Sequence, residues 1–168
     1  LEFKIYEYSD KSVWQMFAKY HYLDNTHNNS AKVFICTVNN TVAGFLSLIH
    51  FPHGSIKNFK RIHRLVILPD FQGIGIGKRF LDFIANQTVL KNQRCIITTS
   101  NTALVFSLKK DACWNLRRVG RVGAIGATSK ISGLQNTNSG ANRITTSWEY
   151  TNKTKATAFP ALVIERIT

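Results

Sequence analysis

The segment Leu65-Val-Ile-Leu-Pro-Asp-Phe-Gln-Gly-Ile-Gly-Ile-Gly-Lys-Arg-Phe80 is where this sequence concentrates residues that could do chemistry. Gly73, Gly75 and Gly77 alternate between an apolar strand-like run and a helix-like run. Glycine lets backbone N–H groups converge with no Cβ in the way, and a helix N-terminus adds about half a positive charge. The combination is an anion cradle of the size of a pyrophosphate. Two familiar phosphate-binding patterns fail on it. A P-loop needs Gly at position 72 and Ser or Thr at 79, where Gln72 and Arg79 stand, and the dinucleotide pattern needs a third Gly at 78 or 80, where Lys78 and Phe80 stand.

The charge distribution points the same way. Of 22 Lys+Arg and 9 Asp+Glu, residues 1–50 carry four of each, and residues 51–130 carry 14 basic residues against Asp70, Asp82 and Asp111. So basic a middle segment calls for an anionic partner, against the plainer reading of a solvated basic surface. The longest strongly apolar run, Val42 to Ile49, is far short of the roughly 20 residues of a membrane span. Cys36, Cys95 and Cys113 are odd in number and widely spaced. Neither a disulfide framework nor a metal site is expected, and a reducing, cytoplasmic setting is. The start at Leu1, with no signal-peptide pattern after it, suits a piece processed or excised from something longer.

The elements that must hold the glycine turn follow from periodicity. Alternation predicts a strand over Phe3–Tyr8, and Val13, Trp14, Phe17 and Tyr20 predict a helix opened by Ser9–Asp10. Asp24–Ser30 is a polar loop, and Val33–Val38 and Val42–Ile49 flank an Asn-rich turn as a β-hairpin. Arg61–Leu68 is a central strand stopped by Pro69, and Phe80, Leu81, Phe83 and Ile84 mark the helix after the glycines. Cys95–Thr99 is a buried strand, Asn101–Lys110 a short helix capped by Ser100 or Asn101, and Trp114–Val119 and Arg143–Tyr150 are further strands. A Gly/Ser/Asn-rich loop joins the last two over about 120–142, and Leu162–Ile167 is a candidate final strand. One domain over 1–168 results, of mixed α/β class, its sheet antiparallel in the first half with crossover helices later.

Gln72-x-x-Gly75-x-Gly77 resembles the Q/R-x-x-G-x-G/A signature of the GNAT N-acetyltransferase superfamily. Leu65 to Phe71 is similar to that family's apolar strand ending in Pro, an acidic residue and an aromatic, and the element order is similar from about Phe3 to Tyr150. The resemblance implies a GNAT-like acyl-CoA N-acyltransferase fold and acetyl-CoA as co-substrate. It puts the pyrophosphate on Gln72, Gly73, Ile74, Gly75, Ile76, Gly77 and Lys78, with Lys78 or Arg79 reaching the phosphates, and the pantetheine arm along the backbone of Val66, Ile67 and Leu68. Asn101 matches the family's Asn near the next helix, which contacts the cofactor arm, and is equally a plain helix cap.

The implied reaction moves an acetyl group to a primary amine by direct attack through a tetrahedral intermediate. A backbone N–H near Leu68 would stabilise the oxyanion. His63 is the leading general base, read on the same strand face as Leu65 and Ile67, against a purely structural histidine. Asp24 and Glu149 are further candidates, Asp10, Asp70, Asp82, Asp111 and Glu165 read as caps or surface groups, and His21, His50 and His53 flank acceptor-side loops. Many relatives place a Tyr seven residues after the Asn to protonate the thiolate, but here that position is Leu108. Ser107, solvent or a distant tyrosine remain as donors. The basic rim disfavours a polycation and favours a phosphorylated or otherwise anionic acceptor, an acidic protein surface or an RNA-linked amine. The alternative is a nucleic-acid-binding module on a degenerate acetyltransferase fold.

Overall fold

The structure, a computed structural model, describes residues 2–21, 27–122, 143–151 and 164–167. The loop expected over 120–142 and the candidate base Asp24 therefore lie outside the described residues, apart from Gly120 to Val122 at the loop's start. No helix among the described residues is long and apolar enough to cross a membrane.

Eight strands form one sheet in the order β6-β7-β5-β4-β3-β2-β1-β8. β1 (Phe3–Tyr8) leads through a 3-10 turn over Lys11–Trp14 into the short α1 (Gln15–Ala18). Asp10 caps that turn by accepting the Ser12 N–H at 2.8 Å. β2 (Lys32–Val38) and β3 (Thr41–His50) are the expected hairpin. Its two central residues, Asn39 and Asn40, take φ of 49° and 61°, which asparagine tolerates and which matches the twist of the flanking strands. β4 (Phe59–Ile67) is followed by α2 (Ile76–Leu90), β5 (Arg94–Thr99), α3 (Thr102–Lys109), β6 (Trp114–Val122), β7 (Arg143–Tyr150) and β8 (Ile164–Ile167). The final strand does not extend the late part of the sheet. It pairs parallel with β1, at the opposite edge.

Burial divides the core by the two faces of the sheet. One cluster joins Ile62 on β4 with Phe80, Leu81, Phe83 and Ile84 of α2 and Leu108 of α3, with Leu65 and Ile67 packed against it. The other joins Trp14 and Phe17 with Val33, Ile35, Phe45 and Val66. β4 thus supplies side chains to both faces, as expected of a central strand.

Candidate active site

The end of β4 and the start of α2 are joined by an exposed turn whose three glycines are there for two different reasons. Gly73 and Gly75 take φ of 79° and 84°, in the left-handed region that costs other residues roughly 1–2 kcal/mol. A Cβ at either would meet nothing within 4 Å, so the turn is open where a ligand would lie. Gly77 is needed for close approach: a Cβ there would stand 3.0 Å from Ile67 Cγ1. The first turn of α2 therefore rests directly on the end of β4. Gln72 closes the turn by donating from Nε2 to the Ile67 carbonyl at 2.8 Å. No side chain caps α2, which begins just after Gly75, so its first N–H groups are directed at the open turn.

Beside this cradle the sheet forks. β4 and β5 pair in parallel only from Phe59 opposite Arg94 to Ile62 opposite Ile97. Beyond that point β4 remains on β3 as far as Ile67, and β5 remains on β7 as far as Thr99. The backbone edge left between them is that of β4 after Ile62.

Which groups face the fork follows from the ladder. Leu68 N–H donates to the Ala43 carbonyl on β3 at 2.9 Å, so alternate residues Leu68, Val66 and Arg64 turn their peptide groups toward β3. Leu65 and Ile67 turn theirs toward the fork. The Leu68 N–H itself is thus occupied, and the nearest N–H turned toward the fork is that of Ile67. Along the fork the edge consists of the peptide groups of Leu65 and Ile67, the Ile67 carbonyl already accepting from Gln72, while Val66 and Leu68 are engaged on the β3 side.

The Lys78 side chain, expected to reach phosphate, is engaged by two carboxylates in this structure. Its ammonium lies 2.6 Å from carboxylate oxygens of both Asp82 and Asp111, and Trp114 Nε1 donates to the same Asp82 at 2.8 Å. Asp82 is buried at 7% exposure and is neither a cap nor a surface group, whereas Asp111, its side chain largely enclosed, caps its turn by accepting the Cys113 N–H at 2.9 Å. Burial alone would raise the Asp111 pKa, but the Lys78 ammonium and the Cys113 backbone N–H hold it well below the usual carboxylate value. Arg79 lies with its guanidinium 5.4 Å from the centre of the Phe3 ring. The turn therefore exposes chiefly backbone N–H groups and a helix end.

The register places His63 in a β-bulge, because Ser47 pairs with Arg64 while Leu48 pairs with Ile62. The extra residue reverses the side-chain alternation of β4. His63 therefore does not share a face with Leu65 and Ile67. Its ring lies 6.3 Å from that of His27, which packs against Trp14 at 5.7 Å and Phe45 at 5.6 Å on the α1 side. His27 was not singled out in the sequence, where it is one polar residue of a turn-rich stretch. Burial first, then the charges of Lys11 and Arg64, push its pKa below the usual imidazole value.

The other candidates separate. Glu149 accepts from Arg94 at 2.6 and 2.8 Å and from Arg117 at 2.6 Å. The Arg94 hydrogen bonds lower its pKa against the opposing effect of burial, and Arg117 adds to this, which makes it a weak proton acceptor. His50 and His53 sit at the β3–β4 connection, a strand length of roughly 25 Å from the glycine turn. His21 lies 5.7 Å from Trp14, near the His27 group. Asn101, at the end of β5, caps α3 by accepting the Leu104 N–H at 2.9 Å through Oδ1, leaving its amide nitrogen outside the cap. Leu108 is fully buried core, and Ser107 beside it is half-buried. α3 packs on the α2 side of the sheet, opposite His63, so the structure does not bring Ser107 to the His63 group.

Comparison with known proteins agrees with this geometry. Residues 29–110 match the family model described as acetyltransferase (GNAT) domain, a span running from the turn before β2 through α3 and including the whole glycine turn. No curated protein sequence matches the chain. Among solved structures, the fold is similar to the ribosomal-protein-S18-alanine N-acetyltransferase from Escherichia coli at TM-score 0.62 and 10% identity, covering 89% of this chain and 93% of that one. A Bacillus subtilis acetyltransferase in complex with CoA superposes at TM-score 0.63 and 10% identity over 90% and 99% of the two chains. A GNAT family acetyltransferase from Elizabethkingia anophelis with acetyl-CoA bound does so at 0.53 and 14% over 85% and 84%. With the glycine signature, the forked sheet and the domain match in agreement, residues 29–110 form an acetyltransferase (GNAT) domain, and the fold as a whole is that of the GNAT acetyltransferase structures it resembles.

Proposed function

We propose that the protein transfers the acetyl group of acetyl-CoA to a primary amine by direct attack. The observation that carries the reading is the fork after Ile62 and Ile97 opening next to an uncapped helix N-terminus and two left-handed glycines. The pyrophosphate of the co-substrate fits the turn from Gln72 to Lys78, held by backbone N–H groups. The pantetheine arm fits the peptide edge of Leu65 and Ile67 as an added strand. This places the thioester carbonyl within reach of the Ile67 N–H, which stabilises the developing oxyanion.

The attacking amine must be neutral. His63, from its bulge, accepts the amine proton directly or through a water. The tetrahedral intermediate then collapses, the C–S bond breaks, and the CoA thiolate leaves with a proton from solvent or Ser107. Acceptors approach from the α1 side, where His63 and His27 lie.

Calorimetry tests the first half of the reading and thiol release the second. CoA should bind in the micromolar to submillimolar range, and acetyl-CoA should release free thiol faster in the presence of a panel of primary amines. Absence of CoA binding would overturn the reading.

A further inference from the structure

β6 ends the sheet, and among the described residues no strand lies on its far side. Asn115 to Val119 are all exposed, although the neighbouring β7 carries the buried Trp148 and Glu149. The ladder sorts these side chains by face. Directly paired residues share a face, and Leu116 pairs with Trp148 and Val119 with Thr146. Trp148 belongs to the core on the α2 side, and Ile144, two residues before Thr146, lies on that face of β7 as well. Leu116, Val119 and Ile144, exposed by 48%, 60% and 55%, therefore form an apolar strip beside the edge. The opposite face is basic. Register shifts between Leu116 and Arg118, which leaves Arg117 as the extra residue of a bulge. Arg118 pairs with Ser147, and Arg117 donates to Glu149 at 2.6 Å, so both arginines lie on the face of Glu149. Glu149 is already shared with Arg94, and Arg118 has no carboxylate partner among the described residues.

An edge strand presents a row of unpaired N–H and C=O groups, and soluble proteins usually shorten, charge or cover such an edge. β6 is charged on one face only, and its other face keeps the apolar strip. We propose that β6 is a docking edge for an extended acidic segment of another protein, which joins the sheet as a further strand. The main chain of that segment takes the free N–H and C=O groups. Its acidic side chains lie over Arg117 and Arg118, and its apolar ones, at alternate positions, lie over Leu116 and Val119. A second copy of this chain is the wrong occupant. Two-fold pairing of β6 with itself would centre on Arg118, the middle residue of Trp114–Val122, and set arginine against arginine. A nucleic acid would satisfy the arginines but leave the apolar strip and the ladder groups unused. The excess of 22 Lys+Arg over 9 Asp+Glu in the whole chain adds to the attraction of an acidic partner. β7 and β5 separate this edge from β4 and the glycine turn, so the proposal does not depend on the acetyl-CoA reading.

The test uses the full chain and a peptide as long as β6 in which Glu alternates with Val, both ends blocked so that it offers no amine. Calorimetry should show saturable binding, about tenfold tighter than that of a Lys/Val counterpart at low salt and weakening as salt is added. Arg118→Glu, at an exposed position, should reverse the preference between the two peptides while its urea midpoint stays at the parental value. Hydrogen exchange should slow at the β6 amides when the Glu/Val peptide binds. N-methylation of the peptide along one edge should abolish binding and along the other should not, because only one edge of an added strand pairs with β6. Equal binding of the two peptides, an unchanged preference in Arg118→Glu, or binding that survives N-methylation along either edge overturns the proposal. Concentration-dependent dimerisation that protects the same amides assigns the edge to a second copy, and a single-stranded oligonucleotide that binds more tightly than the peptide assigns it to nucleic acid. Either outcome also overturns the proposal.

Discussion

The Lys78 ammonium lies 2.6 Å from the Asp111 carboxylate, 33 residues further along the chain, and this contact ties the first turn of α2 to the turn before β6. Asp82 and the Trp114 indole complete the tie. Lys78 therefore braces the first turn of α2, next to the glycine turn, from behind. Lys78→Met should leave two poorly solvated carboxylates uncompensated and cost roughly 3–5 kcal/mol of stability, read as a lowered urea midpoint. CoA affinity measured where the variant is folded should change by less than about threefold, well under the tenfold that 1.4 kcal/mol would give. A loss of affinity far larger than this, with stability intact, would return Lys78 to the phosphates.

The same tie predicts an acid response. Asp111 has its pKa held below that of the unfolded chain, so its stabilisation is fully present above the unfolded value of about 3.9 and is lost as pH falls below it. Asp111→Asn should be less stable than the parent at neutral pH, and the gap between the two should narrow as the medium is acidified below about pH 4. Urea midpoints measured from neutrality into acid check this, and a constant gap would sink it.

The glycines should respond to substitution in different ways. Gly75→Ala forces a side chain into a φ of 84°, costing about 1–2 kcal/mol and distorting the N–H groups proposed above to hold the pyrophosphate. Gly77→Ala brings a methyl to 3.0 Å from Ile67 Cγ1 and should lift α2 from the strand. Both should weaken CoA binding. Truncating the opposing side chain should relieve only one of them, so Ile67→Ala is expected to restore part of the affinity of Gly77→Ala and none of that of Gly75→Ala. A double-mutant cycle by calorimetry measures the difference.

Local signals made most of this fold and the glycine turn between β4 and α2 legible in the sequence. β1 and β7 have the boundaries that alternation predicts, and the Asn-rich hairpin and the Asn101 cap stand where turn and cap chemistry put them. Long-range relationships were not legible. The bulge at His63 depends on how β3 runs past β4, and nothing in the spacing of Ile62, His63 and Arg64 announces it, so simple alternation puts His63 on the wrong face. The engagement of Leu68 with Ala43 is a cross-strand hydrogen bond of the same kind. The ion pairs of Lys78 with Asp82 and Asp111 are recognisable only after α2 and the turn before β6 pack together. His27 lacks a local pattern altogether and gains its place from Trp14 and Phe45.

Asn101 has two roles that one substitution can separate. Its Oδ1 caps α3, and Asn101→Ala should therefore cost about 1 kcal/mol of stability. Asn101→Asp keeps the capping oxygen and removes the amide donors. If the amide also contacts the co-substrate arm, Asn101→Asp should retain parental stability and weaken CoA binding. Unchanged CoA affinity in Asn101→Asp would confine the residue to capping.

His27 makes stability depend on mild acid. Its pKa is lowered in the fold, by burial first, so below about 6.5 the unfolded chain binds the proton more readily than the folded one. Stability should fall as pH drops from about 6.5 toward the folded value. His27→Leu, which places an apolar group between Trp14 and Phe45, should flatten that slope. Urea midpoints of the two proteins between neutrality and mild acid give the comparison, and parallel curves would exclude His27 as the source.

His63 differs from its neighbour His27 because the bulge sets it at the mouth of the fork. If it takes the amine proton, His63→Gln should lower the acetylation rate by a factor of about 10²–10⁴ while CoA affinity stays at the parental value. The acidic limb of the rate–pH profile should disappear with it, because protonation of the base no longer limits the reaction. His27→Leu provides the contrast, since it changes packing beside the same ring and should leave that limb in place. A His63→Gln variant that turns over at the parental rate with an unchanged pH profile would show that the amine loses its proton to solvent, and His63 would then serve only to fill the bulge.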